Sequence, residues 1–312
     1  MPSIVVILGT GGTIAGRAAS SHDNVGYRAG QLGVQALVDA VPALAGQALE
    51  AEQVANVDSK DMDHALWQRL AQRAAFHLAR PNVAGVVVTH GTDTLEETAW
   101  FLQRVLAPEK PLVLTAAMRP ATSLAADGPQ NLLDAVALAR TPGAQGVVLA
   151  FGGAVIAAAD VRKAHPYRMQ AFDAGDAGVL GWMEEGRLRA LRPWPAAGAP
   201  LAQPQALRVD PAQWPVVDIV TSHAGARAAV VTALVAAGAQ GLVVAGTGNA
   251  TVHAALEAAL AEVRAKGVAV WRRSRCAQGV VQGLLPPEGE DAAALSPVKA
   301  RVELMLRLLA QR

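Results

Sequence analysis

The sequence predicts an α/β protein with a mostly parallel sheet in its N-terminal domain and a smaller α/β domain at its C-terminal end. Short β-branched runs alternate with longer stretches rich in alanine and leucine, which is typical of strand–helix–strand units. A proline-rich stretch at residues 182–209 interrupts this alternation and shows no regular period. The alternation resumes beyond it. We therefore expect an N-terminal α/β domain at 1–190, a linker at 191–210 and a smaller α/β domain at 211–312.

The individual elements follow from the local patterns. Apolar, β-branched runs predict strands at residues 4–8, 86–89, 111–115, 147–151, 216–220, 242–245 and 268–271. Amphipathic stretches predict helices at residues 61–80, 95–106, 129–140, 226–237 and 252–266. Ser296 followed by Pro297 supplies an N-cap and a first-turn proline, so a last helix should run almost to the C-terminus.

The composition excludes several classes of protein. Of the 312 residues, 52% are hydrophobic and 17% are charged, which is a globular and not a disordered composition. The 27 basic and 26 acidic residues nearly cancel, and no run of five like charges occurs, which argues against a nucleic-acid or membrane-surface partner. The longest apolar runs are also too short to span a bilayer.

Cysteine and histidine usage argues against disulfides and metals. Cys276 is the single cysteine, so it can form no intrachain disulfide, and we expect it to be a small core residue. The seven histidines include no pair at the three- or four-residue spacing of metal ligands, so neither a metal nor another cofactor is expected. The first residues lack a basic region before the apolar run, which predicts a cytoplasmic protein, or a periplasmic one if a leader has been removed.

A glycine-rich loop, residues 9–16, follows the first predicted strand. A dinucleotide fingerprint would need glycine at Ile14, and a phosphate-binding Walker loop would need lysine at Arg17. Two interpretations remain. The glycines shape a turn and nothing more, or the loop brings backbone N–H groups, that of Gly12 among them, and the hydroxyls of Thr10 and Thr13 close to a ligand.

A second polar loop, residues 89–98, leaves another strand and enters a helix. It places the Thr92 hydroxyl directly before the Asp93 carboxylate, at the end of a helix where the backbone N–H groups favour negative charge. This arrangement suits the binding of an oxyanion. The same residue types are also what an N-cap requires, and the local sequence alone favours that interpretation.

Together the two loops resemble the signatures of the bacterial-type L-asparaginase and glutaminase-asparaginase family, and the resemblance extends over nearly the whole chain. The two signatures are Thr10-Gly11-Gly12-Thr13-Ile14-Ala15-Gly16 and His90-Gly91-Thr92-Asp93-Thr94-Leu95-Glu96-Glu97-Thr98-Ala99. Supporting stretches are Met118-Arg119-Pro120, Ala126-Asp127-Gly128-Pro129-Gln130-Asn131-Leu132 and Lys299-Ala300-Arg301-Val302.

The resemblance implies two catalytic groups. Thr13 corresponds to the nucleophile, and Tyr27 to the tyrosine of a mobile lid that assists it. Thr92, Asp93 and Lys163 correspond to a second cluster. The chemistry is coherent, because a desolvated lysine beside a hydroxyl can act through it as a base while the carboxylate orients the group. The sequence leaves open which threonine is attacked first.

The resemblance also implies substrate contacts. Ser59 and Asp93 would bind the α-carboxylate and α-ammonium groups, and the backbone carbonyl near Ala117 would bind the side-chain amide, with Gly12 close by. A neighbouring subunit would complete the site with Asn249, Thr251 and Glu288. One position departs from the family, which usually has Gln or Glu where this chain has Lys60. Because an inward ammonium would oppose that of the substrate, we expect Lys60 to face solvent or to pair with Asp58 or Asp61; otherwise the substrate preference differs.

The resemblance therefore predicts an L-asparaginase, an amidohydrolase that forms an acyl-threonine intermediate without a cofactor, and that assembles as a homotetramer with a shared site. A glutaminase-asparaginase, or a hydrolase of another small amide, is the alternative within the class. A non-catalytic amino-acid-binding module is the alternative outside it. The presence of Thr13, Tyr27, Thr92, Asp93 and Lys163 together argues against the binding module.

Overall fold

The computed structural model describes residues 3–195, 198–283 and 294–312. The chain forms two compact units, Met1–Pro200 and Leu201–Arg312. Among the described residues, no helix combines the length and the apolar character that crossing a membrane requires.

The first unit is built on one large sheet. In chain order its strands are β1 (Ile4–Gly11), β2 (Leu49–Val57), β3 (Val83–Thr89), β4 (Leu112–Thr115), β5 (Val147–Phe151), β6 (Ala154–Ala157), β7 (Arg162–Lys163), β8 (Phe172–Asp173), β9 (Gly181–Glu184) and β10 (Arg187–Ala190). The sheet has the order β10-β9-β6-β5-β4-β3-β1-β2, while β7 and β8 form a separate two-stranded ribbon. Strands β2, β1, β3, β4 and β5 are parallel, and β6, β9 and β10 continue the sheet in antiparallel pairs.

Four helices flank this sheet: α1 (Val34–Asp39), α2 (His64–Leu78), α3 (Leu95–Leu106) and α4 (Gly128–Leu138). Helix α2 begins where the Asp63 side chain accepts a hydrogen bond from Leu66 N, and it buries an apolar stripe that includes Trp67 and Leu70. The central strands are buried along nearly their whole length, as expected for a parallel sheet covered on both faces.

The second unit repeats the pattern on a smaller scale. Its strands β11 (Val217–Thr221), β12 (Gly241–Gly246) and β13 (Ala269–Ser274) form a three-stranded parallel sheet. Its helices are α5 (Gln203–Arg208), α6 (Ala229–Ala236), α7 (Ala254–Ala265) and α8 (Pro297–Ala310). The Ser296 side chain accepts a hydrogen bond from Lys299 N, which confirms the predicted start of the last helix.

The structure confirms the predicted fold class and corrects several details. The expectation that residues 182–209 lack regular structure is wrong, because they contain most of the β9–β10 hairpin and all of α5. The helix predicted at 226–237 is shorter. Strand β2, strands β6 to β10 and helices α1 and α5 were not predicted. Cys276 is exposed and does not lie in the core. It follows β13, in a turn that carries no apolar strand or helix face to bury.

Candidate active site

Four neighbouring strands deliver the predicted site residues to one edge of the sheet. The order β4-β3-β1-β2 is parallel throughout, with Thr115 opposite Thr89, Thr89 opposite Gly9 and Gly11 opposite Val57. The carboxyl ends of these strands therefore lie side by side, where ligands bind in open α/β sheets. The residues that follow are Ala117 after β4, Thr92 after β3, Thr13 after β1 and Ser59 after β2.

The loops after β1 and β3 touch at two glycines. Gly12 has a φ of +78°, and a Cβ built on it would lie 2.4 Å from both Cα and N of Gly91. A Cβ on Gly91 would in turn lie 2.4 Å from Ser59 Oγ. Only glycine permits this approach of two backbones. Since Thr13 and Thr92 each follow one of these glycines directly, the contact brings the two threonine loops together.

Thr13 lies in a short 3₁₀ helix, residues Thr13–Ala15, that begins immediately after Gly12. Its side chain is buried, and its Oγ1 is 2.7 Å from the hydroxyl oxygen of Tyr27. A backbone bridge between Arg17 and Arg28 joins the Tyr27 segment to the residues that follow this 3₁₀ helix. The two residues that the resemblance assigns as nucleophile and lid tyrosine are therefore directly hydrogen-bonded to each other.

Thr92, Asp93 and Lys163 form a second cluster. Lys163, which lies on the ribbon strand β7, donates from Nζ to Thr92 Oγ1 at 2.8 Å and to Asp93 Oδ1 at 2.5 Å. Thr92 is buried and the Lys163 side chain is 18% exposed, whereas the Asp93 side chain is 53% exposed. The lysine thus binds a buried hydroxyl and a half-exposed carboxylate at the same time.

The capping interpretation of the second loop is wrong. Helix α3 begins after Thr94, and the Thr94 side chain makes no capping hydrogen bond. Thr94 Oγ1 instead donates to the backbone oxygen of Ser59 at 2.7 Å, and Asp93 N donates to Ser59 Oγ at 3.1 Å. Ser59 is 2% exposed. These bonds join the loop after β2 to the loop after β3, so Ser59 and Asp93 become neighbours although 34 residues separate them in sequence.

Lys60 faces away from this cluster. Its Nζ lies 3.0 Å from Asp58 Oδ2 and 3.0 Å from Asp61 Oδ2, and its side chain is 61% exposed. The hydrogen bonds that the Lys60 ammonium donates to the two carboxylates, that of Asp58 first, raise its pKa. The arrangement matches the expectation from charge repulsion, because both acidic neighbours hold the ammonium at the surface.

His90 is a buried residue of the second loop for which the sequence indicated no role. Its Nδ1 is 2.7 Å from Gly91 O and its Nε2 is 3.1 Å from Thr98 Oγ1, which accepts from Trp67 Nε1 at 2.9 Å. Burial lowers the pKa of the His90 imidazole to about 4. The ring is therefore neutral at pH 7, with the proton on Nδ1 facing the carbonyl, and it ties helices α2 and α3 to the loop.

Asp127 and Asn131 contact the backbone on either side of Ala117, and they lie in a motif that the sequence recognised without giving them a role. Asp127 accepts hydrogen bonds from Met118 N at 2.9 Å and Arg119 N at 3.0 Å. Asn131 donates to Ala116 O at 3.0 Å. Asp127 and Asn131 lie 12 and 16 residues beyond the strand end at Thr115, a spacing that carries no catalytic pattern by itself, so the only sequence signal was the resemblance.

The residues predicted to come from a neighbouring subunit lie in the second unit. Asn249 and Thr251 are exposed in the turn that follows β12. Asn249 exchanges two hydrogen bonds of 2.8 Å with the backbone of Gln282, and Thr251 is bridged to Thr247. Glu288 lies outside the described residues. In the described part of the chain, no group of three or more His, Cys, Asp or Glu side chains is placed to hold a metal ion.

Comparison with known proteins identifies the family. The N-terminal asparaginase family model matches residues 4–195, and the glutaminase/asparaginase C-terminal domain model matches residues 216–312. The chain belongs to the asparaginase family. The predicted resemblance is therefore confirmed, and both loops described above lie inside the first matched region.

Individual members of the asparaginase family match most of the chain. A probable periplasmic L-asparaginase of Haemophilus influenzae is 38% identical, over 97% of this chain and 88% of that protein. The glutaminase-asparaginase of Pseudomonas fluorescens is 35% identical, over 97% of this chain and 86% of that protein. The crystal structure of a probable cytoplasmic L-asparaginase from Campylobacter jejuni superposes with a TM-score of 0.90 at 38% identity and covers 98% of this chain and 95% of that one.

Proposed function

We propose that this protein hydrolyses L-asparagine to L-aspartate and ammonia through an acyl-threonine intermediate. The observation that carries the proposal is the pair of buried threonine hydroxyls on touching loops, each with its own proton-exchanging partner. Thr13 Oγ1 is bonded to the Tyr27 hydroxyl, and Thr92 Oγ1 to the Lys163 ammonium. A free threonine hydroxyl is a weak nucleophile, and such a partner is what activates it.

The reaction divides into two halves. In the first, Thr13 Oγ1 attacks the carbon of the side-chain amide and gives up its proton; the carbon–nitrogen bond breaks, and the nitrogen leaves as ammonia with that proton. In the second, water attacks the threonine ester, its hydroxyl completes the product carboxyl group, and its proton returns to Thr13. The Tyr27 hydroxyl hydrogen-bonds the nucleophile, and the Thr92–Lys163–Asp93 cluster exchanges the protons.

The substrate contacts of the proposal follow the charges of an amino-acid zwitterion. Asp93, whose carboxylate is half exposed, binds the α-ammonium group, and Ser59 and the backbone around Gly12 bind the α-carboxylate. The backbone carbonyl of Ala117 accepts from the side-chain amide. Lys60 contributes no direct contact, because Asp58 and Asp61 hold its ammonium at the surface.

Replacement of Thr13 tests the nucleophile. Thr13→Ala should fold normally and bind aspartate but lose turnover by several orders of magnitude. Thr89→Val is the matched control, because the Thr89 hydroxyl is buried nearby at the end of β3 without a hydrogen-bond partner, and valine keeps the shape. It should retain activity. Activity near wild type in Thr13→Ala would contradict the assignment.

A glutaminase-asparaginase is the second candidate, since the relative from Pseudomonas fluorescens bears that name. Ammonia release from L-asparagine, L-glutamine and D-asparagine separates the candidates. Release from L-asparagine alone supports the first proposal, comparable release from L-glutamine supports the second, and binding of aspartate without any release would show a non-catalytic binding module.

We also propose a cytoplasmic homotetramer in which Asn249, Thr251 and Glu288 of a neighbouring subunit complete the site. The exposed, internally bonded turn at 247–251 supports this role for Asn249 and Thr251. Mixed oligomers of a Thr13→Ala chain and an Asn249→Ala chain should recover activity, because some sites then combine intact residues from both. A fully active monomer by light scattering would refute the shared site. Cell fractionation tests the compartment.

A further inference from the structure

We propose that Asp127 and Asn131 are positioning residues that aim the Ala117 carbonyl at the substrate amide. The inference rests on the proposed function, in which that carbonyl accepts a hydrogen bond from the amide. It assigns a role to the start of helix α4, whose residues touch no reacting atom in the proposed mechanism.

Asp127 controls the peptide unit that contains the Ala117 carbonyl. Its Oδ2 accepts from Met118 N at 2.9 Å, and its Oδ1 accepts from Arg119 N at 3.0 Å. The Ala117 carbonyl and the Met118 N–H belong to the same planar peptide unit, and in a trans peptide they point in opposite directions. Because the carboxylate binds the N–H, the Ala117 carbonyl must point away from Asp127. The Asp127 carboxylate thus fixes the orientation of the Ala117 carbonyl from the opposite side of the peptide unit.

Asn131 controls the preceding peptide unit. Its Nδ2 donates to Ala116 O at 3.0 Å and to Asp127 Oδ2 at 3.2 Å, and its Oδ1 accepts from Gly152 N at 3.0 Å. The amide therefore uses both of its donors and its oxygen, which leaves it one orientation. With Asn131 only 2% exposed, water cannot replace these bonds. Asp127 and Asn131, at the start of α4, therefore fix both of the peptide units that flank Ala117.

The same turn also supports the nucleophile loop. A Cβ built on Gly128 would lie 2.9 Å from Cγ1 of Ile14 and 3.6 Å from Cβ of Ala117. The start of α4 therefore packs against the residue next to Thr13 as well as against Ala117. This contact fixes the distance between Thr13 and the Ala117 carbonyl. Attack on the amide carbon depends on that distance, because the carbonyl positions the amide that Thr13 attacks.

Asp127→Asn tests the proposal, with Asp134→Asn as the matched control. Asparagine keeps the shape of Asp127 but replaces one acceptor oxygen with a donor that faces N–H groups. Asp134 is a buried carboxylate on the same helix that accepts from Gln130 at 2.9 Å. We expect kcat/KM for L-asparagine to fall at least about tenfold in Asp127→Asn. The inhibition constant of L-aspartate, which has no side-chain amide, should change by less than about twofold. The control should match wild type in both.

A spectroscopic measurement makes the test independent of activity. The dipeptide Ala-Met occurs once in the sequence, at 117–118. Protein labelled with carbonyl-¹³C alanine and ¹⁵N methionine therefore gives a single carbonyl–nitrogen correlated NMR signal, from this peptide unit. The signal should move in Asp127→Asn and stay in Asp134→Asn. If wild type releases no ammonia from L-asparagine, the proposed function fails, while the movement of this signal still decides whether Asp127 orients the peptide.

Three results would overturn the proposal: an unmoved signal, unchanged kcat/KM in Asp127→Asn, or an equal loss of asparagine turnover and aspartate affinity, which indicates general damage. Asn131→Ser provides a second variant if Asp127→Asn does not fold. It removes the hydrogen bond to Ala116 O without adding charge. It should likewise lower kcat/KM for L-asparagine and leave the inhibition constant of L-aspartate nearly unchanged. An equal loss for both ligands in that variant would likewise count against the proposal.

Discussion

Replacing Gly12 by alanine should damage both the stability and the activity of this protein. The new Cβ would lie 2.4 Å from Cα and N of Gly91. Ordinary carbon contacts lie at about 3.5–4.0 Å, so the two loops must separate by about 1 Å. Because Thr13 and Thr92 follow these two glycines, the separation moves the hydroxyl groups of the two proposed catalytic clusters relative to each other.

Gly46→Ala separates the steric effect from the backbone effect. Gly46 has a φ of +74°, close to the +78° of Gly12, but a Cβ on it meets nothing within 4 Å. The positive φ alone should cost about 1–2 kcal/mol of the free energy of unfolding in both variants. Gly12→Ala adds about 1–3 kcal/mol for the overlap with the facing backbone. The difference between the two variants therefore measures the contact between the loops.

Thermal unfolding and steady-state kinetics test these values. With about 2–4 °C per kcal/mol in a domain of this size, Gly46→Ala should lower Tm by about 2–8 °C and Gly12→Ala by about 4–20 °C. A displacement of about 1 Å at the reacting groups should reduce kcat/KM about 100-fold in Gly12→Ala, whereas Gly46→Ala should keep wild-type kinetics. Equal Tm losses in the two variants, with Gly12→Ala fully active, would refute the reasoning.

Three other perturbations have defined outcomes. Thr92→Ala and Lys163→Ala should each cripple turnover, and the double variant should be little worse than either, because the hydroxyl and ammonium are directly bonded and act as a unit; multiplying losses in kcat would contradict this. Lys60→Gln should change KM for L-asparagine by less than about twofold, because the ammonium is held outward; a large change in either direction would show that Lys60 reaches the substrate. The pKa of His90 is about 4, below its unfolded value of 6.5, so its stabilising contribution is complete above pH 6.5 and is lost as the pH falls through 4. The free energy of unfolding in urea should fall by about 3 kcal/mol over this pH range in wild type and by less in His90→Gln. Equal falls in the two proteins would show that His90 does not cause the loss.

Local patterns predicted most of the scaffold and misjudged its irregular parts. The buried strands β1, β3, β4 and β5 are short β-branched runs, and such runs are typical of strands that are buried on both faces of a parallel sheet. Strand β2 escaped prediction because it lies at the edge of the sheet and carries Glu50 and Glu52, which pair with Arg80 and Arg73 of the α2 region. The missed strand bears on the proposed site, because Ser59 follows directly after β2.

In the candidate site, too, local sequence identified individual residues but not the contacts that they make with residues far away in the chain. The two loop signatures named Thr13, Thr92 and Asp93, because glycine and hydroxyl residues at a strand end have local chemical meaning. The local sequence favoured a helix cap for the second loop. The structure instead shows the Thr92 and Asp93 side chains bonded to Lys163, about 70 residues away. No local pattern distinguishes these two uses of the same residues.

The sequence by itself determined the alternation of strands and helices, the near-neutral charge and the family to which the signatures belong. Only the tertiary structure decided which groups meet. Gly12 contacts Gly91, Thr13 hydrogen-bonds to Tyr27, and Asp127 binds the N–H of the peptide unit that contains the Ala117 carbonyl. The physical reason is that periodicity records whether a residue is buried, whereas a site depends on distances of a few ångströms between side chains from different strand ends. Those distances are set by strand order, register and close backbone contacts.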